Sequence, residues 1–167
     1  MKSRLVPVRA VSLLLAIVGS TVACGGRGPS SGAPSSPAPI PLASDVERTR
    51  FAPSLGVHIE SMSRRPSGLY VQDLENGTGA VVTRGRTAVV RYTGWLANGE
   101  EFDSGEVSVS VGSHQTIAAW EEALLGMRVG GKRRIVTPPN LAYGASGAGK
   151  IPPNAVLVFD MEVTDVE

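Results

Sequence analysis

The chain has 167 residues, with 16 Lys and Arg against 15 Asp and Glu, a formal charge of +1 and only 5% aromatic residues. This length suits one domain with a modest core plus flanking segments, and the near-neutral balance argues against nucleic acid as the main partner. A single cysteine, Cys24, excludes an intramolecular disulfide.

Residues 1–23 read as an export signal. Lys2, Arg4 and Arg9 precede an apolar run from Ala10 to Ala23, shorter than the roughly 20 residues that span a bilayer. The run ends Thr21-Val22-Ala23-Cys24-Gly25. Small residues before a cysteine look like a bacterial lipobox, in which the cysteine is lipidated and becomes the new N-terminus. The alternative is a plain signal cleaved beside a chance cysteine. Loss of the signal leaves 13 basic against 15 acidic groups, a balance of −2.

Residues 24–45 are the lipidated cysteine and a tether of Gly, Pro, Ser and Ala, with prolines at 29, 34, 37, 39 and 41. Such a composition buries too little apolar surface to offset ordering entropy. Lipid, tether and domain together imply an exported protein, anchored to a bacterial membrane through Cys24 and facing the periplasm or cell exterior. Residues 46–67 carry Phe51, Leu55, Val57, Ile59 and Met62, while Pro53 and Gly56 break any long helix. They are expected to form an N-terminal strap packed on the domain that follows, residues 68–167.

In that domain Leu69–Leu74 can alternate as an opening strand, closed by a turn at Asn76-Gly77. Thr87–Leu96 is β-branched and aromatic, and Asn98-Gly99 is a hairpin signal. Phe102 opens the return strand, where Val107, Val109 and Val111 alternate with serines. Ile117, Trp120, Ala123, Leu124 and Met127 fall at helical spacing. Lys132–Thr137 and Ala155–Val166 read as strands, separated by a long loop with two Pro-Pro pairs. The expected class is α+β, a five-stranded antiparallel sheet wrapped around one short helix.

Three features invite chemistry that their context opposes. Gly144–Lys150 has the G-x-x-x-x-G-K spacing of a phosphate loop, yet Ile151-Pro152-Pro153 follows where a hydroxyl and a helix are needed. Lys132-Arg133-Arg134 is expected to be a row of solvated side chains rather than an anion site. Glu121-Glu122 are adjacent on a helix and diverge, an exposed face. His58 and His114 are the only histidines, and no metal-ligand or nucleophile motif appears, so no cofactor is expected.

The rings are scarce, and most fall after residue 91, in Tyr92-Thr93-Gly94-Trp95, Phe102-Asp103-Ser104, Trp120-Glu121-Glu122, Leu141-Ala142-Tyr143-Gly144 and Leu157-Val158-Phe159-Asp160, with the ring-free Ile151-Pro152-Pro153-Asn154 among them. If they meet, they wall a dry cavity that binds something. These motifs, in this order and with Gly130-Gly131-Lys132-Arg133-Arg134, closely resemble the FKBP-type peptidyl-prolyl cis-trans isomerases over residues 68–167. The resemblance implies isomerisation of X–Pro bonds in exported proteins. Its partners would be proline-containing unfolded chains, and macrolides as inhibitors; no long helical dimerisation arm is read before the domain, so a monomer is expected. It puts Trp120 on the pocket floor, with Tyr92, Phe102 and Phe159 as walls. The Ile117 amide would anchor the peptide, and the Tyr143 hydroxyl would bond it. Asp103 would be the pocket carboxylate, bonded to Tyr92, with Thr116, Val107 and Ile151 also at the substrate.

The sequence departs from that family's pattern in ways that bear on the pocket. The segment after Asp103 is shorter, and Val107 stands where an aromatic wall residue is usual. The arginine that often pairs with the aspartate falls in the missing stretch, so Asp103 needs another partner or has a raised pKa. Thr116 replaces a usual valine, and Ala148 lies where another side chain reaches over the pocket. A non-catalytic chaperone or peptide-binding module of the same fold is the competing expectation.

Overall fold

The computed structural model describes residues 45–167, so the expectations for the signal, Cys24 and most of the tether lie outside the described residues. Six strands form one antiparallel sheet: β1 (Ser63–Arg64), β2 (Tyr70–Glu75), β3 (Thr87–Leu96), β4 (Glu101–Ser110), β5 (Lys132–Thr137) and β6 (Leu157–Val166). Their order is β1-β2-β5-β6-β3-β4, each antiparallel to its neighbour. The count exceeds the expected five because the two-residue β1 pairs with Val71 and Tyr70. A four-residue helix α1 (Asp45–Arg48) precedes the sheet, and α2 (Ala118–Leu124) crosses one face of it. The latter is shorter than the periodicity over 117–127 predicts. Leu125 leaves helical geometry at ψ 127° and Gly126 takes a φ of +80°, which ends the helix.

Alternation along the strands builds two cores, one on each face. Val71, Ala88, Val90, Ile135, Leu157, Phe159, Met161 and Val163 pack on the side of α2 with Trp120, Ala123 and Leu124. Tyr70, Val136 and Val158 face the other way, against Val46, Leu55 and Met62 from the segment before the sheet. That segment is made of α1 and two 3-10 turns, Pro53–Leu55 and Ile59–Ser61. Because both faces of β5 and β6 are covered, Ile135-Val136 and Leu157-Val158-Phe159 are apolar without interruption.

Polar bonds fasten the segment down. Arg134 grips Asp160 through Nε and Nη2, at 2.6 and 2.7 Å, and donates Nη1 to the Leu55 carbonyl at 2.6 Å. The Tyr70 hydroxyl donates to Glu47 at 2.6 Å, and the Ala52 N–H donates to the Ala97 carbonyl at 2.8 Å. Arg133 is 7% exposed and donates to Asp73 and to the Ala123 carbonyl in the last turn of α2. The expectation that Arg133 and Arg134 are solvated is therefore wrong. Both lie where strand geometry turns them onto covered faces, and carboxylates offset their desolvation.

Leu55 is 8% exposed in the second core. Leu55→Ala is expected to destabilise the protein by about 2–4 kcal/mol, as large-to-small core changes do. Urea unfolding checks this, and a loss below about 1 kcal/mol would mean that the segment adds little to stability.

Candidate active site

Two local features turn consecutive residues of β4 into the concave side. The β3–β4 register runs evenly to Gly94↔Asp103 and then jumps to Trp95↔Glu101, leaving Phe102 as an extra, bulged residue. A bulge bends its strand and re-aims side chains, so that Phe102 and Asp103, neighbours in sequence, line the same cavity. Opposite them, Gly94 has no side chain for a reason. A Cβ there would lie 2.7 Å from Phe102 Cζ and 2.9 Å from Phe159 Cε1. The two rings close over the bare backbone, edge to face, with centroids 5.6 Å apart.

The helix brings the floor. Trp120 is 6% exposed and stands edge-on to Tyr92 at 4.8 Å and to Phe159 at 5.6 Å. Ile117 is the N-cap of α2 with extended backbone, its carbonyl accepting from Trp120 and Glu121, so its own N–H precedes the helix and is not spent on it. Two side chains hold this helix in place. Arg133 bonds the Ala123 carbonyl at its C-terminal end, a favourable place for a cation. Glu121 accepts the N–H groups of Gly112 and His114 in the loop leading to it. Glu121 is thus a clasp rather than part of an exposed face, and sequence spacing gave no sign of it because its partners are backbone groups.

The resulting cavity has a volume of about 560 Å³. It brings together Tyr92, Phe102, Asp103, Val107, Thr116, Ile117, Trp120, Tyr143 and Phe159, with Gln115, Ala118 and Ala142 in addition. Ile151 is elsewhere. It lies 7% exposed in an adjoining depression that shares Phe102, Asp103 and Tyr143 with the main cavity and continues past Ala148 to Lys150. Gly144–Lys150 forms turns, closed by a bridge between Ala148 and Ile151, and leads into no helix. Val107 and Tyr143 are 37% and 39% exposed at the rim. Thr116 Oγ1 and Trp120 Nε1 are buried without a hydrogen-bond partner among the described residues.

Asp103 receives the Tyr92 hydroxyl at 2.7 Å, the bond expected from the sequence, and no cation takes the arginine's place among the described residues. That bond, then burial and the Asp103 charge, push the Tyr92 phenol up to about 12. Burial, with Asp103 nearby, also raises the Tyr143 phenol. Folding therefore tightens the hold of Tyr92 on its proton. The stabilisation is complete below the ordinary phenol value of 10 and is lost as pH rises towards 12. In Tyr92→Phe the alkaline fall in stability between those values should be shallower, by urea unfolding at stepped pH. An unchanged slope would mean that the bond to Asp103 does not hold in solution.

Comparison with known proteins agrees with this geometry. Residues 79–164 match the family FKBP-type peptidyl-prolyl cis-trans isomerase. An FK506-binding protein of Neisseria meningitidis serogroup B is 42% identical over 105 residues, covering 59% of this chain and 96% of that protein. The FKBP-type peptidyl-prolyl cis-trans isomerase FkpA of Escherichia coli is 40% identical over 123 residues, covering 72% of this chain and 44% of its own. The crystal structure of FkpA superposes with a TM-score of 0.60 at 36% identity, over 69% of this chain and 55% of that one. A peptidyl-prolyl cis-trans isomerase of Pseudomonas syringae pv. tomato gives 0.58 at 35%, over 64% and 80%. The chain belongs to the FKBP-type peptidyl-prolyl cis-trans isomerases, and its fold wraps the sheet and helix of that family around the aromatic cavity between α2, β3, β4 and β6.

Proposed function

We propose that the cavity isomerises X–Pro bonds in exported polypeptides without any covalent step. Amide resonance sets a rotation barrier of about 20 kcal/mol, and the uncatalysed bond turns over in tens of seconds or longer. The twisted transition state has lost that resonance, so its carbonyl is less polarised than in the planar ground state. A wall of rings solvates the planar dipole poorly and penalises the twisted state less. The observation that supports this reading is the set of edge-to-face contacts joining Tyr92, Trp120, Phe159 and Phe102 around one space.

In this reading the four rings grip the pyrrolidine. The Ile117 N–H and the Tyr143 hydroxyl hold flanking carbonyls while the bond between them turns, which converts binding into orientation. A phenol is protonated at neutral pH, so Tyr143 is a donor there, and burial moves its titration further into the alkaline range. Asp103 keeps the Tyr92 ring upright through its hydrogen bond and puts an acceptor at the mouth. Thr116 and Val107 shape the wall, and Ile151 the adjoining depression. Macrolides such as the FK506 of the relatives' names would compete for the same space. Phe102→Ala and Trp120→Ala are expected to lower kcat/KM on a short X–Pro peptide at least about tenfold, with circular dichroism unchanged. Full activity in a folded Phe102→Ala protein would sink the assignment.

The location belongs to the same proposal. The protein works as a monomer, held to a membrane by lipid on Cys24 and a Pro/Gly/Ser tether, on the periplasmic or outer side of a bacterial cell. The basic flank, the short apolar run and Val22-Ala23-Cys24 support it. Labelling with radioactive palmitate in a bacterial host should mark the protein and not Cys24→Ala. Label in neither would leave the plain cleaved signal as the better reading, and label in both would place the lipid away from Cys24.

A further inference from the structure

The two edges of the sheet are treated differently. At one end stands the two-residue β1, and at the other the ten-residue β4, Glu101–Ser110. Short strands are a usual protection against edge pairing. β4 lacks that protection. Asp103 through Ser108 are all exposed, the strand contains no proline, and its register with β3 is unbroken from Ser110 to Asp103.

The direction of its backbone groups follows from the pairing. Thr87 exchanges both main-chain bonds with Glu167, so its N–H and carbonyl point away from β4. Thr87 lies opposite Ser110, and antiparallel pairs alternate between bonded and non-bonded. The main-chain groups of Ser110, Ser108, Glu106 and Ser104 therefore point outward from the sheet. Among the described residues the outward main-chain groups of Ser104, Glu106 and Ser108 meet no other element, while the Ser110 carbonyl accepts from Ser113.

We propose that this edge is a second binding surface, which takes an extended segment of the same polypeptide whose proline occupies the cavity and pairs with it as an added strand. The inference rests on the cavity reading above. The occupant is set by continuity, because Phe102, Asp103 and Val107 belong to β4 and line the cavity. A chain leaving the cavity past Val107 thus meets the free edge directly, and an unfolded chain is already extended and short of main-chain partners. The residues presenting the edge are small or polar, so pairing reads main chain rather than sequence. Glu101, Asp103 and Glu106, with no Lys or Arg on the strand, disfavour acidic client segments. From Ser104 to Ser108 the edge advances roughly 13 Å at about 3.3 Å per residue, so a tetrapeptide whose proline sits in the cavity is too short to pair along it.

Ser108→Pro removes an outward N–H without touching the β3 ladder. The variant should keep kcat/KM on a tetrapeptide within about twofold. It should lose about three- to tenfold in catalysing the refolding of a reduced, carboxymethylated protein limited by prolyl isomerisation, the worth of one or two main-chain bonds. Independently of that variant's folding, amide hydrogen exchange in the unaltered chain should slow at Ser104, Glu106 and Ser108 on adding a proline-centred peptide of about 14 residues, and not on adding the tetrapeptide. Unchanged exchange with the long peptide overturns the proposal. So does an equal effect of Ser108→Pro on both substrates, or sedimentation showing that the edge pairs two copies of the chain. Absence of tetrapeptide turnover in the unaltered chain is a separate failure, that of the cavity reading, and takes the inference with it.

Discussion

β6 turns Leu157, Phe159, Met161 and Val163 toward α2 and Val158 toward the segment that precedes the sheet, and all five are almost wholly out of water. A strand buried on both faces has no solvated side to absorb error, so a register slip of one residue would exchange its two sets of neighbours. The position of Phe159 in the cavity wall is determined by this. It is held from behind by Val158 and its cover, and from the sides by β3 and β5. The segment ahead of the sheet is thus part of what keeps the cavity wall rigid, although it contributes no residue to the cavity.

Around that wall the site is assembled by omission as much as by contact. Gly94 gives up a side chain so that Phe102 and Phe159 can meet. The bulge at Phe102 gives up one ladder position so that ring and carboxylate face the same way. Asp103 stands at the mouth with the Tyr92 phenol as its hydrogen-bond partner. Arg133 holds the Ala123 carbonyl, one of the C-terminal groups that a seven-residue helix cannot satisfy alone, and Glu121 ties the helix to the preceding loop through the N–H groups of Gly112 and His114.

The sheet, the helix and the ring cluster were legible in the sequence because each has a local signature: β-branched runs, helical spacing, and rare aromatics within motifs of fixed order. The partners of Arg133 and Glu121 were not legible. A basic triplet and an acidic pair look the same whether solvated or clasping main chain, and only the fold brings Ala123, Gly112 and His114 to them. The bulge was hidden for a related reason. Glu101, Phe102 and Asp103 carry no sign that one of them will be skipped by the partner strand, since that is set by where Gly94 and Trp95 sit opposite. Ile151 shows the limit of a motif. Its place in the chain is right beside the site, yet its side chain belongs to the next depression.

The strand that sits between β5 and β3 is also the last one made. Until Leu157–Val166 is present, β3 and β4 form one hairpin and β2 and β5 another pair, with nothing to join them. The sheet closes only when the ten residues of β6 pair on both sides, so the contacts that complete it span much of the domain and folding is slow relative to that of helical proteins of this size. Loss of this one strand would divide the sheet in two rather than trim an edge.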